Sequence, residues 1–279
     1  MITRPILETV APQWVIEGAG VKLRRNFPTR ALDYPDPFLL LDHFGSDNPA
    51  DYIAGFPMHP HRGIETVTYM LDGLVQHQDS IGNSGVIGAG DVQWMTAGRG
   101  ILHEEMPQPR EGKMAGFQLW VNLPAKEKMT QPRYQEIKAS QIPEIARNDG
   151  VKIRVIAGQV ENTRGPVTEI VADPIYLDVM VPANASFTHA IERGHTALAY
   201  VFEGAGMFGV NQETVRAATL IVFGDGDEIQ VNTAKESVRF LLFSGKPSYE
   251  PIVRYGPFVM NTREEIEQTL RDLQNGTFV

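Results

Sequence analysis

Residues 65–73 read ETVTYMLDG and residues 196–204 read TALAYVFEG, so that Tyr69 falls on Tyr200 and Gly73 on Gly204. Each is a β-favouring run that closes on an acidic residue and glycine, the pattern of a strand entering a turn. The likeness continues downstream. GVIGAGDVQWM (85–95) and TLIVFGDGDEIQV (219–231) share an apolar run followed by Gly-Asp. Repetition within one chain means that the same supersecondary unit has been built twice. Around these stretches, 19 Pro and 26 Gly punctuate short apolar runs, the spacing of an all-β sandwich or barrel rather than of helices. A duplicated β-barrel is therefore expected. The join is sought in the polar, Pro-punctuated stretch PAKEKMTQPRYQEIKASQIPEIARNDG (124–150), with domains drawn at 1–135 and 136–279.

Candidate strands run over Glu65–Leu71, Val92–Met95, Gly116–Asn122, Ile153–Gly158, Ile175–Val181, Thr196–Phe202, Thr219–Phe223 and Val238–Ser244. Two stretches read as helix. SQIPEIARN (140–148) is short. NTREEIEQTLRDLQNG (261–276) is stronger: Thr262 and Glu265 have capping-box spacing, Ile266, Leu270 and Leu273 share a face, and Gly276 can stop the helix. It reads as a closing amphipathic helix without a catalytic role.

With 279 residues, 42% hydrophobic and 21% charged, the chain has the composition of an ordinary globular protein with room for a large core. A net charge of −9 and no basic run longer than Arg24-Arg25 argue against direct nucleic-acid or membrane-surface binding. There is no cysteine, which excludes disulfides, thiolate zinc sites, iron–sulfur clusters and cysteine nucleophiles. The start, MITRPILETVAPQW, has no apolar signal core and no long apolar run follows, so the cytoplasm is the expected compartment.

Any metal must then sit on imidazole or oxygen ligands. HPHRGIE (59–65) and ILHEEMP (101–107) attract attention for that reason. In a strand, residues i and i+2 point to one face, so His59 and His61 can aim two imidazoles at one point. His103 and Glu105 repeat the arrangement, with Glu104 on the other face. If the two strands are neighbours, three imidazoles and one carboxylate converge. The repeat acts as a control: at its offset His59 falls on Ala190, His61 on Glu192 and Glu65 on Thr196. His189 and His195 lie nearby but out of step. One site is expected, in the first half.

HPHRGIE followed by Gly73, and GAGDVQWMTAGRGILHEEMP (88–107), resemble the two sequence motifs of the cupin barrel. Together with GPFVMNTREEIEQTL (256–270) they are similar to the pirin family of bicupins, over residues 20 to 279. That resemblance implies two jelly-roll-type cupin domains packed face to face, with a short C-terminal helix and one mononuclear metal in the N-terminal domain. The pirin pattern maps its ligands onto His59, His61, His103 and Glu105; the general cupin pattern nominates Glu65 as the carboxylate instead. The pirin match is the more specific, so Glu105 is preferred. The metal implied is iron(II). The ligand set alone also accepts Mn, Co, Ni, Cu or Zn.

The resemblance further implies a quercetin 2,3-dioxygenase, which uses O₂ to open a flavonol to a depside and carbon monoxide, with Glu105 as ligand and as acceptor of the 3-hydroxyl proton. Arg99, before His103, could orient an anionic substrate, though a turn residue is the plainer reading. Phe56, Met58 and Trp94 are candidates for the pocket or for the core. The resemblance also offers a function of another class: a non-catalytic iron protein that binds a transcription factor or metabolic enzyme according to its redox state.

Overall fold

A computed structural model describes residues 1–108 and 112–279. The strand carrying the first repeat, Ile64–Asp72, lies between Val92–Thr96 and Met114–Asn122. The strand carrying the second, Thr196–Phe208, lies between Thr219–Phe223 and Val238–Gly245. The same three-strand arrangement thus recurs at the centre of two sheets, which is the repeat made structural. Gly73 and Gly204 both have positive φ, of 90° and 69°, and a Cβ on Gly204 would collide with the Ser237 carbonyl. That is why glycine closes both runs.

One compact unit comprises residues 13–29, 38–139 and 248–279. Its seven-stranded antiparallel sheet runs in the order Arg133–Ile137, Val92–Thr96, Ile64–Asp72, Met114–Asn122, Phe38–Ser46, Val21–Phe27, Gln13–Glu17. A four-stranded sheet, Phe56–His61, Ile101–Pro107, Val75–Asp79, Ser84–Ile87, forms its other layer. Val21, Leu23, Met70 and Met114 from the large sheet pack with Val75 and Ile87 from the small one, so burial of facing apolar rows holds the barrel together.

The other unit comprises residues 1–12, 30–37 and 140–247. It is built round an apolar cluster, in which Phe187 and Phe208 each meet Phe240 edge-on, at centroid distances of 5.8 and 5.3 Å. Among the described residues, the one cluster of histidines that could hold a metal lies in the first unit.

The two units differ from a single cut at residue 135. Strand Ile6–Val10 pairs with Thr219–Phe223 and belongs to the second unit, while residues 248–279 belong to the first. Strand pairing and helix docking, not order along the chain, decide membership.

SQIPEIARN forms no α-helix. It holds a 3₁₀ turn, Ala139–Gln141, and a strand, Glu144–Ala146, that pairs with Lys152–Ala157. Pro143 interrupts any helix there. The closing helix, Arg263–Asn275, has its expected ends: Thr262 accepts from the Glu265 amide, Glu265 accepts from the Thr262 amide, and Gly276 is left-handed. Its inner face differs in one residue. Thr269 is buried and Leu273 is exposed, because Thr269 receives a 3.2 Å hydrogen bond from Arg62.

Arg62 follows His61 directly and is itself buried. It donates to Asp272 at 2.7 Å and to the Phe278 carbonyl at 3.3 Å, and stacks 4.5 Å over the Phe278 ring. Replacing Arg62 with Ala is expected to lower stability by about 2 kcal/mol, since a buried side chain loses its packing and its hydrogen bonds while the part-exposed Asp272 can be hydrated. Urea denaturation followed by circular dichroism measures it; a loss below about 1 kcal/mol would mean that the helix is held by its apolar contacts alone.

Candidate metal centre

Strands Phe56–His61 and Ile101–Pro107 are antiparallel neighbours, with His103 opposite His59 and Ile101 opposite His61. Directly opposed residues project to one face, and His61 is two positions from His59. The three rings therefore meet. Their centroids are 4.4 to 5.0 Å apart, and one ligand nitrogen from each lies within 4.8 Å of the others.

His59 Nδ1 lies 3.0 Å from the Pro57 carbonyl, which requires the proton on Nδ1 and leaves Nε2 as a lone pair. That lone pair lies 3.0 Å from His61 Nε2. Both ring nitrogens of His103 are buried without a hydrogen-bond partner, an unusual cost for a polar group in a core. Burial, then the neighbouring His59, holds His61 well below the usual histidine pKa, with a backbone hydrogen bond at Pro257 acting the other way. Burial, then His61 and His59, does the same for His103. Two buried imidazoles disfavoured as cations, beside a third whose Nδ1 is tied to a carbonyl, can turn ring nitrogens to a divalent cation, so the residues present fit a metal.

Between His103 and Glu105 the register slips, and Glu105 pairs with Phe56. The Glu105 carboxylate lies outside the tight histidine cluster. It lines the cavity beside it, and its Oε1 lies 2.8 Å from the Thr68 hydroxyl. Thr68 is also 2.8 Å from Gln118 Oε1, and its single proton can serve only one of them.

Glu65 occupies a different place. Its strand position has the opposite parity to Thr68, it is absent from the cavity wall, and Thr96 donates to it at 2.7 Å. Burial raises its pKa, with the Thr96 bond countering. Glu104 accepts from Gln78 at 2.6 Å. Arg99 is exposed and Trp94 is buried, both away from the cavity wall; Phe56 lines it, and Met58 is half-exposed.

The cavity has a volume of about 530 Å³ and a mostly apolar wall. Several residues in that wall have no counterpart in the motifs: Trp120, Arg25, Asp42, Gln118 and Arg254. Trp120 meets the His61 ring edge-on, at 5.1 Å. Arg25 grips Asp42 through two hydrogen bonds of 2.9 and 2.7 Å; burial nonetheless pushes Asp42 up to about 6.

The chain matches the family model for pirin over residues 20–121 and that for the pirin C-terminal cupin domain over residues 176–279. The chain belongs to the pirin family. A pirin-like protein of Caulobacter vibrioides is 46% identical, with all of both chains covered. The crystal structure of a quercetin 2,3-dioxygenase from Acinetobacter baumannii is 38% identical, with a TM-score of 0.90, covering 99% of this chain and 98% of that one. The Escherichia coli pirin YhhW, solved with nickel(II), shares the fold at 20% identity and a TM-score of 0.69, covering 86% of this chain and 99% of that one. This pirin is accordingly a mostly-β protein of two cupin domains with one short C-terminal helix. No helix among the described residues is long and apolar enough to cross a membrane.

In the second half, His195 Nε2 lies 3.7 Å from Glu192, and His189 is buried. Burial, then Arg147, lowers the His189 pKa from 6.5 to about 4. A depressed folded-state value stabilises the pirin above pH 6.5 and is lost as pH falls towards 4. Metal-free protein is expected to weaken progressively over that window, with His189 contributing on the order of 1–3 kcal/mol. Urea midpoints across pH should fall less steeply for His189→Phe; an unchanged slope would contradict the assignment.

Proposed function

We propose that this pirin is a metal-dependent dioxygenase that opens the heterocycle of a flavonol with O₂, giving a depside and carbon monoxide. The observation that carries the reading is the three-histidine cluster, with its fixed lone pair on His59, beside a cavity of about 530 Å³ and mainly apolar wall. The quercetin 2,3-dioxygenase likeness at 38% identity supports it. His59, His61 and His103 would hold the metal, with Glu105 completing the set; iron(II) is proposed. When bound, the metal supplies Lewis acidity and one-electron redox chemistry.

The chain's own residues do the rest. Thr68 holds Glu105 through Oε1, which leaves Oε2 to accept the proton of the substrate's 3-hydroxyl. The apolar wall excludes water and seats a planar aromatic ligand. Trp120, packed on His61, supplies one flat side of that seat.

Oxygen uptake by iron(II)-loaded protein with quercetin, with carbon monoxide followed as product, tests the reading. Turnover with carbon monoxide release supports it. Absence of turnover in protein shown to hold its metal would sink it, and would turn attention to a redox-dependent protein partner.

A further inference from the structure

The cavity wall carries one guanidinium with no carboxylate at salt-bridge distance, although Asp42 in the same wall feels its charge. Of its charged residues, Arg25 lies between Asp42 and Glu17, at 2.7 Å from each, and Glu105 is the fourth candidate ligand. Arg254 is different. Its Nε donates to the Gly256 carbonyl at 2.9 Å, which fixes the guanidinium plane. Among the described residues its remaining donors have no protein acceptor, and no carboxylate comes within ion-pair distance. Its carbon stands 4.8 Å over the Trp120 ring, and the same ring meets His61 at 5.1 Å. Arg254 is therefore held on a flat aromatic support, one indole away from the histidine cluster.

A guanidinium is a planar fork whose free edge suits a carboxylate or an ionised hydroxyl. Arg254 is part-exposed, so solvent reaches its charge and the guanidinium acts mainly through directed hydrogen bonds from its free edge. The histidine cluster accounts for one ligand oxygen; Arg254 asks for another.

We infer that the cavity takes a planar aromatic anion, with an oxyanion separate from the metal-binding oxygen received by Arg254. The inference rests on the dioxygenase reading for its metal-binding oxygen, but concerns substrate class. Arg254 is thus a specificity-determining residue: it should favour acidic members of a flavonol-like series over neutral ones.

The test uses calorimetric titration of zinc-loaded protein, which is redox-silent, with 3-hydroxyflavone and with its 4′-carboxylate. The wild type is expected to bind the carboxylate at least about 10-fold more tightly. Arg254→Gln should erase that preference and leave the affinity for 3-hydroxyflavone within about 3-fold, whereas Arg254→Lys should keep part of the preference. A wild type with no preference, a preference that survives Arg254→Gln, or no binding of the carboxylate would each overturn the inference. Quercetin turnover, measured on the same wild-type preparation with iron(II), judges the dioxygenase reading separately.

Discussion

Replacing His61 with Ala is expected to abolish stoichiometric metal binding, weakening affinity at least about 100-fold, and to cut quercetin turnover by about 10³-fold or more. His61 is the most constrained of the three histidines. It is buried, its Nε2 faces the His59 lone pair at 3.0 Å, and its ring is packed against Trp120. His59, by contrast, is half-exposed. The fold should survive, because the barrel core of Val21, Leu23, Met70, Val75, Ile87 and Met114 does not include the histidines. Metal analysis of the purified variant, with its circular dichroism spectrum, separates the two effects. A full equivalent of tightly held iron with normal turnover would remove His61 from the centre.

The second large effect concerns the two glutamates. Glu105→Gln is expected to lower kcat by about 10²–10³-fold while leaving the melting temperature nearly unchanged. Its carboxylate lines the cavity, and glutamine can still accept the Thr68 hydrogen bond at Oε1. On the proposed function, the variant loses a negative ligand and a proton acceptor. Glu65→Gln should behave oppositely. Glu65 is buried beyond the cavity wall and bonded to Thr96, whose hydroxyl also receives a 3.3 Å bond from Arg133, so its loss should appear in stability with kcat within about 3-fold of wild type. Steady-state kinetics and thermal melts on both variants decide the matter. The reverse ranking would give the carboxylate role to Glu65.

Much of this was legible in the chain. The two copies of the strand–turn pattern carry enough β-pattern and turn chemistry to mark the duplication, and the same three-strand order recurs in both sheets. Alternation along HPH and HEE placed three histidines on common faces, and strand pairing made those faces one. The cavity wall was far less legible. Thr68, Gln118 and Asp42 sit opposite one another on adjacent strands, a relation that exists only once register is known. Arg99, close to His103 in sequence, is exposed, whereas Arg254, remote in sequence, lines the cavity. Local pattern cannot report a side chain delivered by a distant segment. For the same reason SQIPEIARN read as helix: its partner strand, Lys152–Ala157, outweighed a short local preference.

Residues 253–278 bring Arg254, Gly256 and Pro257 to the wall of a cavity whose other lining residues all precede residue 121. They also carry the helix that Arg62 anchors beside His61. In biosynthesis this sets a timetable. A nascent chain has every candidate metal ligand outside the ribosome while the wall around them is unfinished, and the second barrel is made before the first can be completed. A message truncated after residue 247 would encode every candidate ligand yet lack Arg254, Gly256, Pro257 and the helix that Arg62 holds. The wall of the cavity is the last part of the candidate site to be made.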